Sequence, residues 1–118
     1  MKRTLFTLVL VAAAVLPLPA SAHALLVKSS PPKRAVLRDP PKEIHLWFSE
    51  RLEPAYATVT VMREGMPVAA AKKAVDGKEN RLSVQLPDLR PGSYTVRFRV
   101  LSVDGHVAED SFAFSIGR

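Results

Sequence analysis

Residues 93–106, SYTVRFRVLSVDGH, decide the fold. Tyr94, Val96, Phe98 and Val100 alternate with Thr95, Arg97 and Arg99, the period of a strand with one face buried and the other wet. The same period recurs on both sides of this stretch. EIHLWFS (43–49) sets Ile44, Leu46 and Phe48 against His45 and Trp47, and RLSVQL (81–86) sets Leu82, Val84 and Leu86 against Ser83 and Gln85. SFAFSI (111–116) carries Phe112, Phe114 and Ile116, while YATVTVM (56–62) is rich in β-branched residues. Prolines at 31, 32, 40, 41, 54, 67, 87 and 91 would interrupt any long helix. Pro91-Gly92 supplies a tight corner just before the longest strand. Segment 68–76 reads either as a short helical turn or as a ragged edge strand. Six to eight short strands of this kind predict an all-β, two-sheet sandwich with Greek-key connections.

The chain opens with the three-part pattern of a secretory signal. Lys2 and Arg3 precede the apolar run LFTLVLVAAAVLPL, and Ala20-Ser21-Ala22 offers the small-x-small pattern that signal peptidase accepts. The run is short for a membrane span and is broken by Pro17 and Pro19. We therefore expect residues 1–22 to be a cleaved signal peptide and residues 23–118 to be one exported domain. Those 96 residues suffice for a single modest core and are too few for two.

Composition narrows the chemistry. The full chain has a net charge of +6, which falls to +4 once Lys2 and Arg3 are removed, leaving 15 basic residues against 11 acidic. The basic residues are scattered, which argues against nucleic acid as a partner. No cysteine is present, so the domain must be held by packing alone, and no thiolate can act as nucleophile or metal ligand.

Polar residues continue the strand patterns past their ends. Extending the parity of Tyr94 to Val100 predicts that Ser102, Asp104 and His106 share the core side, unless a bulge at Gly105 breaks it. The same extension of Ile44, Leu46 and Phe48 reaches Glu50. A charge there needs a partner, because burying one unpaired costs several kcal/mol. The partner is an arginine or another positive group (a metal, the mature amine or a histidine), unless Glu50 snorkels at the sheet edge.

Cleavage after Ala22 would make His23 the first residue, with a free amine beside its imidazole. That amine and the ring Nδ1 can close a six-membered chelate on a metal. His106 would add a third nitrogen to form a histidine brace, and Asp104 an oxygen. Nitrogen-rich tetragonal sites with an oxygen suit Cu(II), whereas zinc prefers a tetrahedron. Taken singly, each signal has a plainer origin: a histidine after a cleavage site by chance, an Asp-x-His as an ordinary turn. Together they supply every donor that copper needs. His45 has outward parity and is expected to be a bystander, and Trp47 to pack beneath a loop.

At these residues the chain resembles the CopC family of periplasmic copper-binding proteins. The likeness covers the mature length and is carried by HALLVKSSPP, IHLWFSE, PGSYTVRFRVLSVDGH and SFAFSI. It implies a cupredoxin-like or immunoglobulin-like β-sandwich and a Cu(II) site. It also implies ligand roles for His23, Asp104 and His106, with Glu50 close to the metal. A periplasmic, monomeric protein of copper resistance or homeostasis follows, with a CopD-like inner-membrane copper transporter as partner and no membrane insertion of the mature chain. The chain departs from methionine-rich members: only Met62 and Met66 stand where a Cu(I)-binding loop would lie, and two thioethers make a poor Cu(I) cage.

Two other functions compete with this one. Lytic polysaccharide monooxygenases build a histidine brace on a β-sandwich, but they are usually longer and need open coordination positions, which Asp104 and Glu50 would occupy. A metal-free immunoglobulin-like interaction domain would use its sheet edges alone. The expected protein is a binder and not an enzyme.

Overall fold

Alternating side chains become a sandwich because each strand has one face to hide. The computed structural model describes residues 26–68, 72–76 and 80–118. Its nine described strands are β1 (Leu26–Ser30), β2 (Val36–Leu37), β3 (Glu43–Phe48), β4 (Thr58–Arg63), β5 (Met66–Val68), β6 (Lys72–Asp76), β7 (Arg81–Gln85), β8 (Gly92–Leu101) and β9 (Val107–Ile116). One sheet has the order β1-β3-β7-β6 and the other β2-β9-β8-β4-β5. The chain changes sheet between β1 and β2, β2 and β3, β3 and β4, β5 and β6, and β7 and β8. The expected all-β, two-sheet sandwich is the fold found. Segment 72–76 is an edge strand, β6, paired among the described residues with β7 alone.

The core lies between the sheets and is made of the residues that alternation singled out. Ile44, Leu46, Phe48, Leu82 and Val84 face Val61, Tyr94, Val96, Phe98, Val100, Phe112, Phe114 and Ile116, all buried. Phe48 of one sheet meets Phe98 of the other edge-on, with ring centroids 5.4 Å apart. Fully burying side chains of this size stabilises by about 1.5–3 kcal/mol each, which is what holds a cysteine-free domain together.

The corner before β8 is locked by a hydrogen bond as well as by its turn residues. The Tyr94 hydroxyl donates to the Arg90 carbonyl across 2.5 Å, and the Arg63 guanidinium donates to the Pro91 carbonyl across 2.8 Å. Gly92, at φ 148°, occupies the pinch: a Cβ there would come within 2.9 Å of Arg63 Nε. Beyond the corner, β8 and β9 pair without interruption from Gly92↔Ile116 to Leu101↔Val107. The first half of β9, Val107 to Ser111, is mostly exposed and shows no apolar alternation, so it is longer than its sequence pattern suggests. Its pairing with β8 makes it a strand. β2 covers β9 only at Ser115 and Ile116, so Glu109 and Asp110 sit on an open stretch of edge, where charge discourages pairing with another chain.

Candidate metal centre

The β8–β9 hairpin closes through Ser102 to His106. The backbone N–H of Ser102 donates to the His106 carbonyl across 2.9 Å, and that of Gly105 to the Ser102 carbonyl across 2.9 Å. Gly105 adopts φ +91°, a conformation that suits glycine far better than any residue with a Cβ. The segment after β3 is stitched to this hairpin. Leu52 bridges to Ser102, Val103 N–H donates to the Arg51 carbonyl at 3.0 Å, and Glu53 N–H donates to the Leu101 carbonyl at 2.8 Å.

Core parity carries one step past β8 and then stops. Ser102 follows Val100 on the core side and is fully buried. Asp104 and His106 do not continue that face. The turn begins at Ser102, and their side chains are 40% and 43% exposed. The turn nonetheless brings the two together: His106 Nδ1 lies 3.0 Å from Asp104 Oδ2. The other carboxylate oxygen, Oδ1, accepts a hydrogen bond from the Ser102 hydroxyl. A buried hydroxyl without such a partner would cost about 1–3 kcal/mol. The Ser102 hydrogen bond is the largest influence and, with the lesser help of His106 and against desolvation, holds the Asp104 carboxyl down at about 2.

Glu50 stands in the bend after β3 and is half-buried. It lies two residues before Leu52, on the side of the Leu52–Ser102 bridge toward Asp104. Among the described residues, Asp104 and His106 form a pair, and no group of three or more potential metal-binding acidic or histidine side chains is assembled. His23 and the 1–22 segment lie outside the described residues. β1 begins at Leu26 opposite Phe48, two residues before Glu50. The start of β1, the bend after β3 and the β8–β9 turn therefore gather at one end of the sandwich.

The remaining histidine is engaged within its sheet. His45 Nδ1 lies 2.8 Å from Ser83 Oγ and its Nε2 lies 2.9 Å from Glu43 Oε2. Trp47 does not pack beneath a loop. It stands on the same outer face of β3, 5.6 Å from the His45 ring, with the Lys28 ammonium 4.9 Å from its centroid. Sequence reading missed both Ser83 and Ser102 as polar partners. The one available signal was a serine in a core position, directly after four inward apolar residues.

Residues 26–117 match the family described as CopC domain. The chain belongs to the CopC family. Copper resistance protein C of Xanthomonas campestris pv. juglandis is 36% identical over 118 residues, which cover 93% of this chain and 92% of that protein. The crystal structure of CopC from Methylosinus trichosporium OB3b superposes with a TM-score of 0.72 at 36% identity, covering 80% of this chain and 94% of that one. PcoC of Escherichia coli, described as a methionine rich copper resistance protein, superposes with a TM-score of 0.72 at 28% identity, covering 80% and 99%. In the present CopC-family chain, Met62 pairs with Pro67 and Met66 with Arg63 across the β4–β5 hairpin. That register puts the two thioethers on opposite faces of the sheet.

Proposed function

We propose that the mature protein, residues 23–118, binds Cu(II) in the periplasm and sequesters or delivers it, after removal of residues 1–22 as a signal peptide. One observation carries this function: in a chain of the CopC family, a turn presents Asp104 and His106 in contact and accessible at the end of the sandwich where β1 starts. The three residues from His23 to Leu26 can extend at most about 10–11 Å, which sets the radius within which the mature amine must find its partners. In this proposal the amine and imidazole of His23 and the imidazole of His106 form a histidine brace. Asp104 supplies an oxygen and Glu50 a nearby carboxylate, as a ligand or beside one. Nitrogen donors with an oxygen favour Cu(II), and thioethers on opposite faces make no soft cage for Cu(I).

Copper is the cargo, and the protein is a binder and not an enzyme. Two of the relatives named above are described as copper resistance proteins. A CopD-like inner-membrane transporter is the proposed recipient of the metal, with the binder acting as a monomer. The test is a titration of protein beginning at His23 with Cu(II), followed by electron paramagnetic resonance. A type 2 spectrum with nitrogen splitting, saturating at one equivalent, is expected. No spectral change at equimolar copper would sink the proposal.

A further inference from the structure

We propose that Ser102 is a positioning residue that sets the Asp104–His106 pair in place before the metal arrives; this rests on the copper-binding function above. Ser102 occupies the last inward position of β8, where Tyr94, Val96, Phe98 and Val100 would lead one to expect another apolar side chain, and it is fully buried. Among the described residues, its hydrogen-bond partners all belong to the turn it begins. The hydroxyl donates to Asp104 Oδ1 and, as an acceptor, lies 3.3 Å from the His106 backbone nitrogen. Its own backbone N–H holds the His106 carbonyl at 2.9 Å. The hydroxyl oxygen is also 3.2 Å from that carbonyl, but its single proton is committed to the carboxylate, the stronger charge-assisted acceptor.

One buried residue thus grips the side chain of Asp104 and the backbone of His106 together. With Oδ1 anchored from below, Oδ2 is left facing His106 Nδ1 at 3.0 Å, and this contact orients the imidazole. Without the hydroxyl, Asp104 is free to swing into solvent, and the ring loses the partner that fixes its tautomer. Hydrogen bonds behind metal ligands act in this way, and losing one typically weakens metal affinity by about 10–100-fold.

A double-mutant cycle on the mature protein tests the assignment, with Cu(II) affinity and the tautomer of His106 in the metal-free state as readouts. Ser102→Ala should weaken Cu(II) binding by about 10–100-fold. In the metal-free protein it should move the ring-nitrogen shifts of His106 toward those of a free histidine. Ser102→Thr, which keeps the hydroxyl, should stay near wild type in both. In an Asp104→Ala background, adding Ser102→Ala should cost little more, because the residue acts through that carboxylate. The assignment is overturned if Ser102→Ala binds copper like wild type or costs as much without Asp104 as with it. It is equally overturned if Ser102→Thr loses as much affinity as Ser102→Ala, which would mark damage to packing. A wild-type protein that fails to bind Cu(II) refutes the copper function itself. The metal-free tautomer measurement would still report whether Ser102 positions the pair.

Discussion

Two acid-x-His pairs in this molecule have almost the same contact and opposite surroundings. Glu43 and His45 meet at 2.9 Å on β3, and Asp104 and His106 meet at 3.0 Å in the β8–β9 turn. β3 is an inner strand, flanked by β1 and β7, and its neighbours fix what His45 can touch. Ser83 takes one ring nitrogen, Glu43 the other, and Trp47 leans on the ring. The second pair hangs on a tight turn, anchored from below by a buried serine, at the end of the sandwich where β1 starts. A residue motif is therefore no site by itself. A strand spends its polar groups on the sheet, whereas a turn can hold them toward whatever arrives from outside.

The largest effect expected from this contrast concerns the chain terminus. In the proposed site, one extra residue before His23 would turn the amine into an amide and remove the chelate. Copper affinity should then fall by more than the roughly 10–100-fold typical of changes behind metal ligands. Isothermal titration or competition with a chelator measures it, and undiminished affinity would place the site elsewhere. Next comes the direct exchange of the two histidines. His106→Ala should lower Cu(II) affinity by at least about 100-fold while the protein still folds. His45→Ala should leave copper binding intact and lower stability by about 1 kcal/mol, for the lost bond to Ser83. If His45→Ala weakens copper binding as much as His106→Ala, the contrast between the pairs is wrong.

The pH dependence is graded and its sign is set by which groups titrate. Asp104 is held at about 2, below its ordinary value of 3.8. Its contribution to fold stability is thus complete above that ordinary value and is lost only as the pH falls toward 2. It remains a carboxylate wherever copper binding is measured. In the proposed site the nitrogen donors must shed protons to bind metal. Affinity should therefore fall as the pH is lowered from about 8 to about 5, by up to about tenfold per pH unit for each proton displaced. Competition titrations from pH 8 to pH 5 that show a constant affinity would contradict the nitrogen-donor site. The smallest effect is local to the turn. A Cβ at Gly105 meets nothing within 4 Å, so Gly105→Ala should cost only backbone strain at φ +91°, about 1–2 kcal/mol by thermal melting. A substitution without effect would mean that the turn tolerates other conformations and does not set the pair rigidly.

Much of the sandwich was legible because a strand's two faces are written in neighbouring residues. Ile44, Leu46 and Phe48, and Tyr94 through Val100, declared the core directly. The first half of β9 was not legible. Glu109, Asp110 and Ser111 lie on an exposed edge, where only pairing with β8 makes a strand. Parity also placed Asp104 and His106 together for an insufficient reason. The face they were expected to share ends at Ser102, and the turn reunites them by folding back.

The sequence by itself determined the strands, the single core without cysteine and the presence of an Asp-x-His beyond the longest inward face. These depend on side chains a few residues apart, and local periodicity records them. Only the tertiary structure decided that Ser83 and Glu43 engage His45, that Met62 and Met66 face apart, and that Ser102 lies beneath Asp104. Such facts depend on register between strands and on the path of a turn, which chain neighbours do not encode.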